Sequence, residues 1–154
     1  MIIIGYQGIG KSTLAGTDRF IDLESSNFWV DGKRADDWYK PYCSIAEHLS
    51  SQGYDVFVSS HEVVRNQLKD SKELVVIAHP SIELKDEWIE KLKNRYESTK
   101  LEKDYKAYMN AVDRYEDNIK ELMNNMFIHI EITKIDYKLK ELIDMLKIVQ
   151  AHNN

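Results

Sequence analysis

Three isoleucines, Ile2 to Ile4, run directly into Gly5, and Gly8 and Gly10 follow before Lys11, Ser12 and Thr13. No other stretch constrains the fold as tightly. A β-branched apolar triplet reads as a buried strand, and the glycines read as a tight turn into a short helix near Ser12 to Gly16. The rest of the chain repeats this alternation. Phe20 to Leu23 is a second strand, ended by Ser25, Ser26 and Asn27. ADDWYKPYCSIAEHLSSQGY is a helix with Ile45 and Leu49 on one face; Pro41 marks its start or a kink, and Gly53 its stop. YDVFVSS is a third strand, His61 to Asp70 a short helix, and ELVVIAHP a fourth strand.

From Ser81 the period changes. Leu84, Trp88, Leu92 and Tyr96 are spaced by four, an amphipathic helix broken at Thr99 and Lys100. A longer helix is expected with Leu101, Tyr105, Tyr108, Val112, Tyr115, Ile119 and Leu122 on one side. MFIHIEIT is a fifth strand, and DYKLKELIDMLKIVQ a closing helix with Asp136 as its candidate N-cap. Strands alternating with helices, over connections long enough for parallel crossovers, imply an α/β fold with helices on both faces of a parallel sheet. With 154 residues and no linker-like tract, the expectation is one domain, 1–154. In such sheets ligands lie beyond the carboxyl ends of the strands. Gly5 to Ser12, Asp22 to Asn27, Ser59 to Arg65 and His79 to Ser81 are therefore expected to converge on one cleft.

Gly5, Gly10, Lys11 and Ser12 satisfy G-x-x-x-x-G-K-[ST], the Walker A phosphate loop, in its required strand–loop–helix setting. A phosphate chain needs several backbone N–H groups pointing inward, and glycine tolerates the backbone angles of such a nest without a side chain in the way. Gly5, Gly8, Ile9, Gly10, Lys11, Ser12 and Thr13 are the candidate nucleotide-binding residues. Lys11 would reach the β- and γ-phosphates of ATP, and Ser12 would hold Mg²⁺, with the helix start adding its positive end. A dinucleotide fingerprint is excluded, because Thr13 stands where G-x-G-x-x-G needs glycine.

Other candidates lie at strand ends. Asp22, with Glu24 second, would either hold a water on Mg²⁺ or take a proton from an attacking hydroxyl; the alternative is an acidic turn. Phe28 and Trp29 are core aromatics or a surface for a ring to stack on. No Walker B aspartate stands near Ser59, and no N-K-x-D base-reading motif occurs. Arg65, one turn after His61, would clamp an acceptor phosphate or carboxylate, or is a surface arginine; His61 is a weaker candidate base. Lys91 and Arg95 lie off the apolar stripe. They are read as exposed: either a solvated helix, or cations that close over the transferring phosphoryl group. The histidines show no metal-ligand spacing, and Cys43 is the single cysteine, so no transition-metal site or internal disulfide is expected. Net charge is −5 with basic and acidic residues interleaved, which argues against general nucleic-acid binding. No apolar run approaches a membrane span, and the isoleucine triplet is too short for a secretory core, so a cytoplasmic protein is expected.

GYQGIGKS, IDLESS closing the second strand and VFVSSHEVVR resemble the P-loop kinases of small molecules, the nucleoside monophosphate kinase and shikimate kinase group. More narrowly, the chain resembles short nucleotide-kinase-like proteins of bacteriophages and prophages of low-GC Gram-positive bacteria. The resemblance implies a P-loop NTPase three-layer α/β/α fold. Its five-stranded parallel sheet would have order 2-3-1-4-5, with a helical lid-like region about 81–125. It implies ATP and Mg²⁺ at Gly5 to Thr13, with Ser12 and Asp22 on the metal side. Lys11, Asp22, Arg65 and Arg95 would be the catalytic residues. The D-G-[FY]-P-R signature of adenylate kinases is replaced by SSHEVVR, and Arg95 stands alone where a lid carries paired arginines. Three functions are carried forward: a kinase of a (deoxy)nucleoside monophosphate, a non-catalytic ATP-binding module that controls a partner, and a P-loop kinase of a non-nucleotide metabolite.

Overall fold

The computed structural model of the protein describes residues 1–153. In chain order the elements are β1 (Ile2–Gly5), α1 (Lys11–Leu14), β2 (Phe20–Asp22), β3 (Trp29–Val30), β4 (Lys33–Arg34), α2 (Tyr39–Ser51), β5 (Asp55–Val58), α3 (Glu62–Leu68), β6 (Val75–Pro80), α4 (Lys85–Thr99), α5 (Glu102–Met123), β7 (Ile128–Ile132) and α6 (Leu139–His152). The protein is α/β, with one five-stranded parallel sheet in the order β2-β5-β1-β6-β7. β1 lies between β5 and β6, with Ile3 opposite Phe57 on one side and Val76 on the other. Strands flanked on both sides read as continuous apolar runs rather than alternating ones, as IIIG and DVFV do. No helix among the described residues is long and apolar enough to cross a membrane.

The described residues form two compact units, neither continuous in sequence. The first comprises Met1–Tyr6, Gly10–Ala78 and Met126–His129; the second comprises Gln7–Ile9, His79–Asn125 and the residues from Ile130 onward. No compositional linker marks this division, because the chain crosses between the units in the glycine-rich loop, inside β6, before β7 and inside β7.

In the first unit, Ile2 to Ile4 and Val56 to Val58 are fully buried. α2 packs on β1, β5 and α3 through Tyr42, Cys43 and Ala46. Pro41 falls in the first turn of α2, where its missing N–H costs nothing, so the helix starts there without a kink. The Cys43 thiol faces the Val64 carbonyl at 3.9 Å, and burial pushes its pKa up to about 12. α1 is one turn only, Lys11–Leu14. Gly16 N–H then bonds the Phe20 carbonyl and Phe20 N–H bonds Thr17, which turns the chain into β2. The two-stranded hairpin β3–β4 is an element the sequence reading missed. Its turn is Asp31-Gly32, both at positive φ (52° and 77°), the turn that matches the twist of a two-residue hairpin.

In the second unit, Trp88 and Leu92 are the buried residues of α4, as the period of four predicts. Lys100 ends the helix at φ 57°. The expected stripe on α5 is correct only in its second half. Tyr115, Ile119 and Leu122 are buried, but Leu101, Tyr105 and Val112 are exposed, and Asp104 and Ala111 take the inner face. Two causes act. Leu101 is the N-cap, outside the helix. Asp104 is drawn in by Arg95, whose Nε lies 3.1 Å from its Oδ1, and by the Thr99 hydroxyl. Asp136 does not cap α6. Lys138 does so in extended conformation, and the helix starts at Leu139.

Candidate functional site

Residues 7–9, the tip of the glycine-rich loop, belong to the second unit and are held there by two side chains. Trp88 Nε1–H donates to the Gln7 carbonyl at 2.8 Å. The Tyr137 hydroxyl donates to the Ile9 carbonyl at 2.7 Å and lies 3.4 Å from that of Gly8. The indole and phenol rings stack, with centroids 5.8 Å apart and planes 18° from parallel. Among the described residues no peptide bond is cis. In a trans peptide the C=O and the following N–H point in opposite directions. Fixing the carbonyls of Gln7, Gly8 and Ile9 against α4 and Tyr137 therefore turns the N–H groups of Gly8, Ile9 and Gly10 the other way. Those three donors meet no acceptor among the described residues.

Gly8 is required by this packing. Its φ is +83°, and a Cβ there would lie 2.9 Å from Leu92 Cδ2 and 3.3 Å from Trp88 Nε1. Gly10, at φ 106°, caps α1 in the left-handed region. One turn of helix sums few peptide dipoles, so its positive end contributes little.

Lys91 corrects the expectation of an exposed cation. It is half-buried, with its Nζ donating to the Tyr137 oxygen at 2.8 Å and lying 4.4 Å and 4.7 Å from the Trp88 and Tyr137 ring centroids. Because Lys91 occupies the acceptor side of the phenol oxygen, the hydroxyl proton is directed at the Ile9 carbonyl. Desolvation, then the charge of Arg95, lowers the Lys91 pKa from 10.5 to about 8. Between these values the unfolded chain keeps a proton that the folded protein releases, so this group's contribution to stability rises with pH from about 8 to about 10.5. The wild-type thermal midpoint is expected to climb relative to Lys91→Met across that window. A wild-type minus variant difference that stays flat from about pH 7 to about pH 10 contradicts this assignment.

Arg95 is exposed, as its position off the apolar stripe implies, and its Nε pairs with the buried Asp104; α4 lies beside residues 7–9 through Trp88.

In the first unit, Lys11 opens α1, followed by the exposed Ser12 and Thr13. Gly5 ends β1 opposite Ala78, and Asp22 ends β2 opposite Phe57. Tyr42 ties the end of β2 to that of β5: its hydroxyl donates to the Leu23 carbonyl at 2.6 Å and accepts from Ser59 N–H at 2.9 Å. Burial raises the Tyr42 pKa, and the Asp22 charge adds to the rise. His61 Nδ1 sits 2.7 Å from Ser59 Oγ. Its pKa is lowered by desolvation first and then by Arg34 and Lys11, which brings those two cations and the imidazole into one neighbourhood. Arg65 folds back, its Nε donating to the Ser60 carbonyl at 3.0 Å.

Lys11, Asp22, Ser59 and His61 all belong to the first unit, at or just beyond strand ends. Three contributors escaped the sequence reading. Arg34 had a signal in the Asp-Gly turn ahead of it. Trp88 was read as core alone, without its indole N–H. Tyr137, 128 positions from Ile9, had no sequence signal. Neither models of known protein families nor curated proteins give a match to this chain.

Proposed function

We propose that the protein binds ATP with Mg²⁺ at Gly5 to Thr13 and transfers the γ-phosphoryl group to a small acceptor, with a (deoxy)nucleoside monophosphate favoured. One observation carries the reading: loop carbonyls held by Trp88 and Tyr137, with the N–H groups of Gly8, Ile9 and Gly10 left for an anion. The P-loop NTPase three-layer arrangement is part of the proposal. Counted within the main sheet alone, β2-β5-β1-β6-β7 becomes 2-3-1-4-5, which supports it.

The donor chemistry suits the ion. A hydroxyl from Ser12 and a carboxylate from Asp22 are hard oxygen ligands, and Mg²⁺ takes one or two such groups beside phosphates and waters. Bound ATP with Mg²⁺ supplies the phosphoryl group and its charge neutralisation. The chain's own part is positioning: backbone N–H groups and Lys11 orient the phosphates, and Asp22 holds a metal water or accepts a proton. The pairing of Arg95 with Asp104 favours a second reading, an ATP-binding module without turnover, because that arginine is already engaged.

A coupled phosphotransfer assay across the monophosphates separates the two readings, and Asp22→Asn assigns the acceptor. A phosphate acceptor is already ionised and needs no base. For a nucleotide acceptor, Asp22→Asn is expected to lower kcat modestly and to shift the Mg²⁺ dependence. A fall of about 10²- to 10⁴-fold without that shift marks a general base and a hydroxyl acceptor. Wild-type turnover in the variant reduces Asp22 to a turn residue.

A further inference from the structure

The hairpin β3–β4 carries a second constellation, contained in the first unit. A cavity of about 470 Å³ is lined by Trp29, Lys33, Arg34, Asp36 and Trp38, among others. The Arg34 guanidinium lines this space, its Cζ 4.4 Å from the Trp38 ring centroid and 5.8 Å from that of Trp29. Nη1 donates to Ser25 Oγ at 3.1 Å, which fixes the plane of the fork. Among the described residues no carboxylate forms an ion pair with it, although Asp36 lines the same cavity.

A half-buried guanidinium, held by a hydroxyl and two indoles and left without a counter-ion, is organised to receive an anion in bidentate fashion. The surroundings select the kind of anion. Arg34 and Lys11 both act on His61, and the His61 ring meets the edge of Trp38 at 5.4 Å. The Arg34 guanidinium, with Lys33 lining the same cavity, suits a dianion better than a single carboxylate. Trp38 is nearly buried and already covered by Arg34, whereas Trp29 is 51% exposed and offers a free face.

The geometry points to a phosphomonoester site on this hairpin: Arg34 receives the phosphate, and Trp29 covers the flat ring of the same molecule. The site rests on the phosphotransfer reading for its role, as the place of the acceptor, but its evidence is separate from the glycine loop. Arg34 replaces Arg65 as the acceptor's anchor, since the Arg65 Nε is turned to the Ser60 carbonyl.

Calorimetric titration of the whole chain with adenosine and thymidine monophosphates, their nucleosides and inorganic phosphate tests the site. At least one monophosphate is expected to bind more tightly than both its nucleoside and inorganic phosphate. Arg34→Gln is expected to weaken it roughly 10- to 100-fold, the loss of a charge-assisted contact. Arg34→Lys, which keeps the charge and loses the fork, is expected to restore only part of that. Trp29→Ala is expected to weaken the monophosphate and leave inorganic phosphate unchanged. Lys40→Gln, the same charge change at an exposed position on α2, is expected to alter affinity by less than about 5-fold. Unchanged monophosphate affinity in an Arg34→Gln protein that keeps its thermal midpoint overturns the site, and so does inorganic phosphate binding as tightly as the monophosphates. The thermal shift with ATP and Mg²⁺ is measured on the same proteins. Retained in Arg34→Gln while monophosphate binding falls, it supports two distinct subsites. Absent from the wild type, it overturns the phosphotransfer reading and leaves the hairpin to be judged on monophosphate binding alone.

Discussion

Lys11→Ala is expected to abolish most of the thermal stabilisation that ATP with Mg²⁺ gives the wild type. A ligand that binds only the folded protein at 100 times its Kd stabilises it by about 2.7 kcal/mol. Removing a charged contact to the phosphates costs about 1.5–3 kcal/mol of binding, or roughly 10- to 100-fold in Kd. At the same ligand concentration the larger loss leaves only about 0.4 kcal/mol of stabilisation, close to the detection limit of a melting experiment. The variant also carries an internal control. Lys11 is one of the two cations that hold the His61 pKa down, so the His61 titration followed by NMR is expected to move up in Lys11→Ala without any ligand. A moved His61 with an undiminished ATP shift removes Lys11 from the phosphate site while showing that the variant is folded as intended.

Trp88→Ala is expected to cost about 3–5 kcal/mol of folding stability, the range for truncating a fully buried large aromatic. Trp88→Phe separates packing from the loop. It keeps most of the ring volume and the neighbouring Tyr137, but leaves the Gln7 carbonyl without its donor at 2.8 Å. That loss is worth about 1–3 kcal/mol where the acceptor is buried. If the indole N–H sets the direction of the Gly8 N–H, the phenylalanine variant loses more ATP affinity than its destabilisation alone explains, measured at a temperature where both unliganded proteins are fully folded. Equal ATP affinity in wild type and Trp88→Phe would mean that the loop keeps its conformation without the indole donor.

Three strands of the main sheet were legible because each is a short apolar run closed by glycine, serine or proline: IIIG, DVFV and VVIAHP needed no tertiary information. The phosphate-loop spacing was equally local. What failed depended on distant partners. The first half of the α5 stripe failed because the burial of Asp104 is decided by Arg95 on another helix. Lys91 was read as solvent-facing from its helical position, but the Tyr137 ring, 46 residues away, encloses it. Asp136 has the chemistry of a cap, yet Tyr137 reaches back to the Ile9 carbonyl and α6 opens beyond it, at Leu139. Arg34 is the exception: the Asp31-Gly32 pair was a sufficient hairpin signal and was passed over.

Cys43 gives the molecule a built-in clock. Thiol reagents attack the thiolate, and a buried sulfur with its pKa pushed to about 12 presents almost none at neutral pH. It is also the only cysteine in the chain. Modification by a coloured disulfide therefore waits for an opening of the α2–α3 contact, and its rate counts those openings in unlabelled wild-type protein. The same silence frees the surface for chemistry: a cysteine placed at the exposed Ser26 takes a fluorophore alone, next to the hairpin, with the native thiol left in place.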